Sequence, residues 1–265
     1  MKTILAIFFT LCSFTIGFSQ NIQYGDNSSA GRYIPVRGIR YYMETYGKGK
    51  PLVLLHGNGG SIASMAPIIP FFSERYRIIA IDSRAHGKSI DTQDSLSFEM
   101  IADDVSAILD KMQIAKADFI GWSDGGIVAL EMAIRHPQQV KKIVATGANI
   151  IPDSGAFAKG VWMNDKHYYD SVKYIPRTTL SEKNAWKLFL LDWQQPNISL
   201  EQLHTIIAPS LIICGDHDLI SLEHTISIFQ NIPKAQLWVV PNSGHGTLIE
   251  HPKEFCEAVN TFLEK

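Results

Sequence analysis

The stretch Phe119-Ile120-Gly121-Trp122-Ser123-Asp124-Gly125-Gly126 decides the fold. An apolar run ends in a serine with a glycine two residues away on either side, and an apolar-periodic segment follows. That succession reads as strand, sharp turn, helix. A serine at the apex of so tight a turn needs neighbours without side chains, because strand and helix meet there. Gly121 and Gly125 meet that need, and GxSxG is the pattern of a nucleophile elbow. The bland alternative is an ordinary βα turn that happens to contain serine, and only the rest of the chain separates the two.

Working outward, buried strands alternate with helical segments. Leu52 to Leu55 and Arg77 to Ile81 are continuous apolar runs of the kind a strand covered on both faces requires. Residues 33–46 read as two short antiparallel strands joined at Arg37-Gly38. Ser61 caps a helix expected to reach Phe72. Phe98 to Met112 carries Ile101, Val105, Ile108, Leu109 and Met112 at helical spacing, with Asp103 and Asp104 read as a solvated face. Behind the elbow, Ile127, Leu130 and Ile134 share a helix face before Pro137 ends it, and Lys142 to Thr146 is a further strand. Such alternation makes a parallel α/β sheet, whose ligands sit beyond the carboxyl ends of the strands.

From residue 149 to 207 the alternation lapses. Phe157, Trp162, Tyr168, Tyr169, Trp186, Phe189 and Trp193 crowd this stretch, with a helix expected from Ser181, so it reads as an inserted helical cap. Most of these aromatics are expected to pack the cap itself. Trp162 and Trp186, with Trp122 of the elbow, are the candidates for lining a substrate pocket. The α/β pattern then resumes with strands at Ser210 to Cys214 and Gln236 to Val240 and helices at Leu222 to Gln230 and Pro252 to Leu263. The domain division is therefore a core at 20–148, the cap at 149–207 and the rest of the core at 208–265.

The loops after the last two strands carry Gly215-Asp216-His217-Asp218 and Asn242-Ser243-Gly244-His245-Gly246. An acid and a histidine therefore reach the same sheet edge as Ser123. A serine hydroxyl is a poor nucleophile at neutral pH and needs a base, whose tautomer a carboxylate fixes. Ser123, then Asp216 or Asp218, then His245 is the chain order of one of the three familiar serine-hydrolase arrangements. The Asp124 N–H, at the start of a helix, suits a developing negative charge. The loop His56-Gly57-Asn58-Gly59-Gly60 could cradle phosphate, but the spacing is wrong. The only Gly-Lys-Ser is at 87–89, and Asp82 stands where a P-loop needs its first glycine.

Composition narrows the classes further. The chain has 265 residues, 46% hydrophobic, with a net charge of -2. No Lys/Arg-rich run offers the clustered charge that nucleic-acid phosphates demand, so a small-molecule substrate is expected and nucleic acid is not. Residues 1–19 read as a signal peptide, with Lys2, an apolar run from Ile4 to Phe18, and small residues Gly17 and Ser19 before the cleavage point. That run is shorter than the ~20 residues of a membrane span. The mature chain is expected to be exported, periplasmic or secreted, without a stable membrane anchor. Cys214 and Cys256 then read as buried thiols, although export permits a disulfide. No cofactor and no metal site is expected, since no CxxC pair or compact His/Cys cluster occurs.

With HGNGG at 56–60, DSRAHGKS at 82–89, GWSDGG at 121–126, PSLIICGDHD at 209–218 and SGH at 243–245, the sequence resembles the α/β-hydrolase family along nearly all of its mature length. Ala85 stands where that family usually has glycine. GWSDGG followed by TGAN at 146–149 looks most like the serine hydrolases related to valacyclovir hydrolase, which cleave small esters, amino-acid esters included. The resemblance implies an α/β-hydrolase fold, a mostly parallel sheet flanked by helices. It implies Ser123 as nucleophile, His245 as base, Asp218 rather than Asp216 as orienting acid, and an oxyanion hole from the N–H groups of Asn58 and Asp124. His56 then shapes its loop, His86 belongs to a turn, and His217, His224 and His251 lie at the surface or around the site. A C–C bond hydrolase of the same fold and a non-catalytic ligand-binding homologue are the competing functions. The Asp124 carboxylate, free for another task, is either a solvated or capping acid or the partner of a cationic substrate group such as an α-ammonium.

Overall fold

The computed structural model describes residues 22–265, so the expected signal peptide lies outside the described residues. Strands β1 (Gly31–Val36) and β2 (Ile39–Tyr46) form a hairpin, followed by β3 (Lys50–Leu55), helix α1 (Ile69–Ser73), β4 (Tyr76–Ile81) and α2 (Phe98–Lys111). Next come β5 (Ala117–Trp122), α3 (Asp124–Arg135) and β6 (Val140–Thr146). Helices α4 (Val161–Val172), α5 (Leu180–Gln194) and α6 (Leu200–His204) intervene before β7 (Ser210–Gly215). The chain then runs through α7 (Leu222–Asn231), β8 (Ala235–Val240), α8 (Thr247–Glu250) and α9 (Pro252–Glu264).

The eight strands form one sheet in the order β1-β2-β4-β3-β5-β6-β7-β8. The pairs β1–β2 and β2–β4 are antiparallel and all the others parallel. Alternate residues of the central strands feed two cores. Val53, Leu55, Phe119 and Ile143 pack with α2 and α3, whereas Leu52, Leu54, Ile120 and Val144 pack with α1 and α9. Parallel strands covered on both faces explain the unbroken apolar runs. They also put the loops after β3, β5, β6, β7 and β8 at one edge.

Two expectations need correction. The helix from Ser61 does not reach Phe72: Ser61 caps a single 3-10 turn, Ile62–Met65, and α1 begins afresh at Ile69. Pro67 interrupts the segment because it has no N–H to give to the helical ladder, although Ala66 before it keeps helical dihedrals (φ -49°, ψ -38°). Nor do Asp103 and Asp104 form a solvated face. Asp104 is fully buried, accepting from Tyr41 Oη at 2.7 Å and Arg84 Nη1 at 2.8 Å, with Arg37 Nε at 2.9 Å. Arg84, itself buried, also holds Asp91. Asp103 pairs with Arg135 and His136.

Glu44 organises the segment before β1. It is fully buried, and its carboxylate accepts from the N–H groups of Gly25 and Asn27 and the hydroxyls of Tyr42 and Tyr46. Cys214 and Cys256 are buried free thiols, and burial raises them to about 11 and about 12. Ala85, at φ 67°, occupies the left-handed region that glycine enters without strain.

Glu131 makes the stability of the fold pH-dependent. It is buried in α3, where burial first and the nearby Glu99 second raise its carboxyl to about 7. The folded state therefore holds this proton more tightly than the unfolded chain. The contribution is fully present below about pH 4.5 and is lost as pH rises through about 7. Glu131→Gln removes the titration. Urea unfolding should show the variant gaining about 3 kcal/mol on wild type between pH 4.5 and pH 8. A difference independent of pH would show that Glu131 stays charged throughout.

Candidate active site

Ser123 joins β5 to α3 with φ 55° and ψ -119°, a backbone conformation that L-residues rarely adopt. The close packing around it accounts for the glycines. A Cβ at Gly121 would lie 2.0 Å from the Gly125 carbonyl oxygen, and one at Gly125 would lie 2.1 Å from the Leu55 carbonyl oxygen. The Ser123 N–H is tied to Thr146 O at 2.8 Å, and Ser123 O accepts from Gly126 and Ile127 at the head of α3. The elbow is thus fixed from both sides. Strain held so firmly at one residue is characteristic of reactive groups.

The acid and the histidine meet at this edge. His245 Nδ1 lies 2.7 Å from Asp218 Oδ1, and Asp218 is buried, its Oδ1 also accepting from Ile220 N–H at 3.0 Å. That pairing leaves Nε2 of His245 as the free ring nitrogen. Asp216 is turned elsewhere. Its carboxylate accepts from the N–H groups of Asn242 and Ser243, and these bonds with the adjacent His217 hold it down at about 2. Glu250 takes the next N–H, that of Gly244, at 2.7 Å. Two carboxylates therefore pin the loop that carries His245. Gly147, at φ 63°, leaves room for the imidazole, since a Cβ there would lie 2.8 Å from His245 Cε1.

Asn58 sits opposite the elbow. Among the described residues, no loop or cap hydrogen bond takes the N–H of Asn58 or of Asp124. Neighbouring Gly57 is so close to the nucleophile position that a Cβ there would lie 3.0 Å from Ser123 Cβ. The Asn58 side-chain amide donates to Asp124 Oδ2 at 3.0 Å and to Leu188 O of the cap at 3.1 Å.

Asp124 is buried, and its carboxyl is hydrogen-bonded to that of Asp192, from α5. Burial raises both carboxyls, and the facing charge of Asp124 raises Asp192 well above the usual range. Asp165 of α4 adds to this negative surrounding. No Lys or Arg pairs with Asp124 or Asp192 among the described residues. His86, nearby, is buried with its Nε2 unpartnered, and burial holds it neutral-leaning. The sequence reading missed Asp192, although an acid between the apolar run Leu188-Phe189-Leu190-Leu191 and Trp193 was a signal of something unusual.

The three candidate tryptophans separate. Trp122 donates its indole N–H to His245 O at 2.8 Å. Trp162 and Trp186 belong to the aromatic stack of the cap. Trp162 lies 5.6 Å from Trp193 and donates to Pro152 O, and Trp186 stacks on Tyr169 at 5.9 Å beneath the Arg177 guanidinium. His56 is buried, accepts from Ser83 N–H at Nε2, and is pushed down to about 4 by burial, so it fixes its loop as a neutral ring. His224 is likewise buried and takes the Ile150 N–H, whereas His217 is exposed. Among the described residues, no group of three or more His, Cys, Asp or Glu could hold a metal ion.

A parallel sheet of this order, with a left-handed serine between β5 and α3 and an Asp–His pair after β7 and β8, defines a hydrolase class. The family model described as alpha/beta hydrolase fold matches residues 50–174. The chain has the α/β-hydrolase fold and is a hydrolase. The 2-hydroxymuconate semialdehyde hydrolase of Pseudomonas sp. (strain CF600) is 27% identical, over 88% of this chain and 93% of its own. A mouse (Mus musculus) protein, serine hydrolase BPHL, is 26% identical over 87% of this chain and 85% of its own. Among solved structures, a meta-cleavage product hydrolase (CumD) variant superposes with a TM-score of 0.73 at 23% identity, covering 90% of this chain and 99% of that one.

Proposed function

We propose that the chain is a serine hydrolase of small carboxylic esters, with Ser123, His245 and Asp218 as its triad. The observation that carries this reading is the 2.7 Å contact between His245 Nδ1 and Asp218, on the same edge as the left-handed Ser123. In this mechanism His245 Nε2 takes the hydroxyl proton as Ser123 Oγ attacks the ester carbon. The resulting oxyanion lies against the N–H groups of Asn58 and Asp124. His245 then passes its proton to the departing alkoxide, and water, activated the same way, releases the acid from the acyl-enzyme. The predicted leader makes the mature enzyme an exported one.

The acyl group it favours carries a cationic nitrogen, as in an amino-acid ester. Among the described residues no Lys or Arg pairs with Asp124, beside the nucleophile, or with Asp192 against it, and a substrate ammonium would supply the missing charge. The same acids weigh against the C–C hydrolase alternative wherever its substrate is anionic, since like charges repel in a site this dry. The test is fluorophosphonate labelling of the folded protein, then turnover of matched esters with free and N-acetylated α-amino groups. Wild type should label and prefer the free amines. Asp124→Asn should lose about ten- to a hundred-fold in kcat/KM on the free amines and little on the acetylated esters. Equal losses on both would remove the cation from the proposal, and failure of wild type to label would remove the serine mechanism.

A further inference from the structure

We infer that Trp122 is a positioning residue for the base, setting where His245 stands relative to Ser123 through its indole N–H; this rests on the proposed serine mechanism. Trp122 directly precedes Ser123, and its Nε1 donates to the His245 carbonyl oxygen at 2.8 Å across a sequence distance of 123 residues. The two rings lie 6.0 Å apart, centroid to centroid. The nucleophile strand thereby reaches the histidine loop directly.

Every other anchor of that loop comes from elsewhere. Asp218 orients the imidazole from the β7 loop, and Asp216 holds Asn242 and Ser243 from the same place. Glu250 holds Gly244 from α8, while the Thr247 hydroxyl meets Thr146 at 2.8 Å. These contacts fix the loop to β6, β7 and α8. Of these only the Thr146 contact leads to the elbow, and indirectly, through the Thr146 carbonyl that holds the Ser123 N–H, whereas Trp122 is bonded to Ser123 itself; the Ser–His separation is what proton transfer depends on. A base misplaced by about 1 Å costs on the order of a hundred-fold. A half-buried tryptophan must find an acceptor for its N–H in any case, and here the acceptor is the backbone of the base itself.

The experiment is Trp122→Phe, compared with wild type in steady-state turnover and in the rate of fluorophosphonate labelling. If Trp122 positions the base, kcat and the labelling rate fall together by about ten- to a hundred-fold while KM stays within about three-fold. Unchanged kcat and labelling, or an effect confined to KM or to thermal stability, would overturn the inference. Should Trp122→Phe not fold, replacement by 3-benzothienylalanine exchanges the N–H for sulfur at nearly constant shape and carries the same expectations. Loss of labelling in Ser123→Ala with normal labelling in Trp122→Phe would refute the positioning role and leave the serine mechanism standing. Retention of turnover by Ser123→Ala would instead remove the mechanism itself.

Discussion

Replacing Ser123 with alanine should lower ester turnover by about a million-fold while leaving the protein folded. The hydroxyl is the only atom removed, and the elbow is held by bonds that survive its loss. The Ser123 N–H bond to Thr146 O and the bonds from Gly126 and Ile127 to Ser123 O all belong to the main chain. Alanine also tolerates the φ of 55° about as poorly as serine does, so the substitution adds little backbone strain. The residual rate, roughly a thousand- to ten-thousand-fold over water, should come from substrate binding and the N–H groups of Asn58 and Asp124. Turnover with a chromogenic ester, beside a thermal melt, checks both halves. A folded variant retaining more than a few per cent of wild-type turnover would rule out Ser123 as the nucleophile.

Asp218→Asn should cost about ten-thousand-fold in kcat with little change in the fold. The amide keeps the shape of the carboxylate but presents an N–H or a neutral carbonyl to His245 Nδ1. It can neither select the tautomer that leaves Nε2 unprotonated nor stabilise the imidazolium that forms. Asp216 is the internal control, two residues earlier and also acidic. Its work is on the N–H groups of Asn242 and Ser243, so Asp216→Asn should lower the melting temperature and keep most of the turnover. Reversal of these two outcomes would exchange the roles of the acids.

How much of this was legible in the sequence depends on how far each contact reaches. The elbow, the alternation of strands and helices and the chain order of serine, acid and histidine are local patterns, read from glycines, apolar runs and loops. Asp104 was misread because its partners Arg84, Arg37 and Tyr41 arrive from other elements, and only the helix surface was visible in its own neighbourhood. Pro67 was present in the sequence, yet helical periodicity around it outweighed its signal. Asp192 is the same problem at longer range: it meets Asp124 only because α5 folds back over the sheet edge. In the cap, composition gives the aromatics but not their partners: Trp162 stacks on Trp193 and Trp186 on Tyr169, pairings that only the packing of α4 on α5 sets.

The buried Glu44 sets how far the segment before β1 can be shortened. Its carboxylate depends on the main chain of Gly25 and Asn27 for two of its four donors. Truncation ahead of Gly25 leaves that shell whole. A cut beyond Asn27 strips half of it from a charge that water cannot reach, exposing the first hairpin to fraying. The N-terminal limit of this folded unit is therefore set by a residue in its second strand.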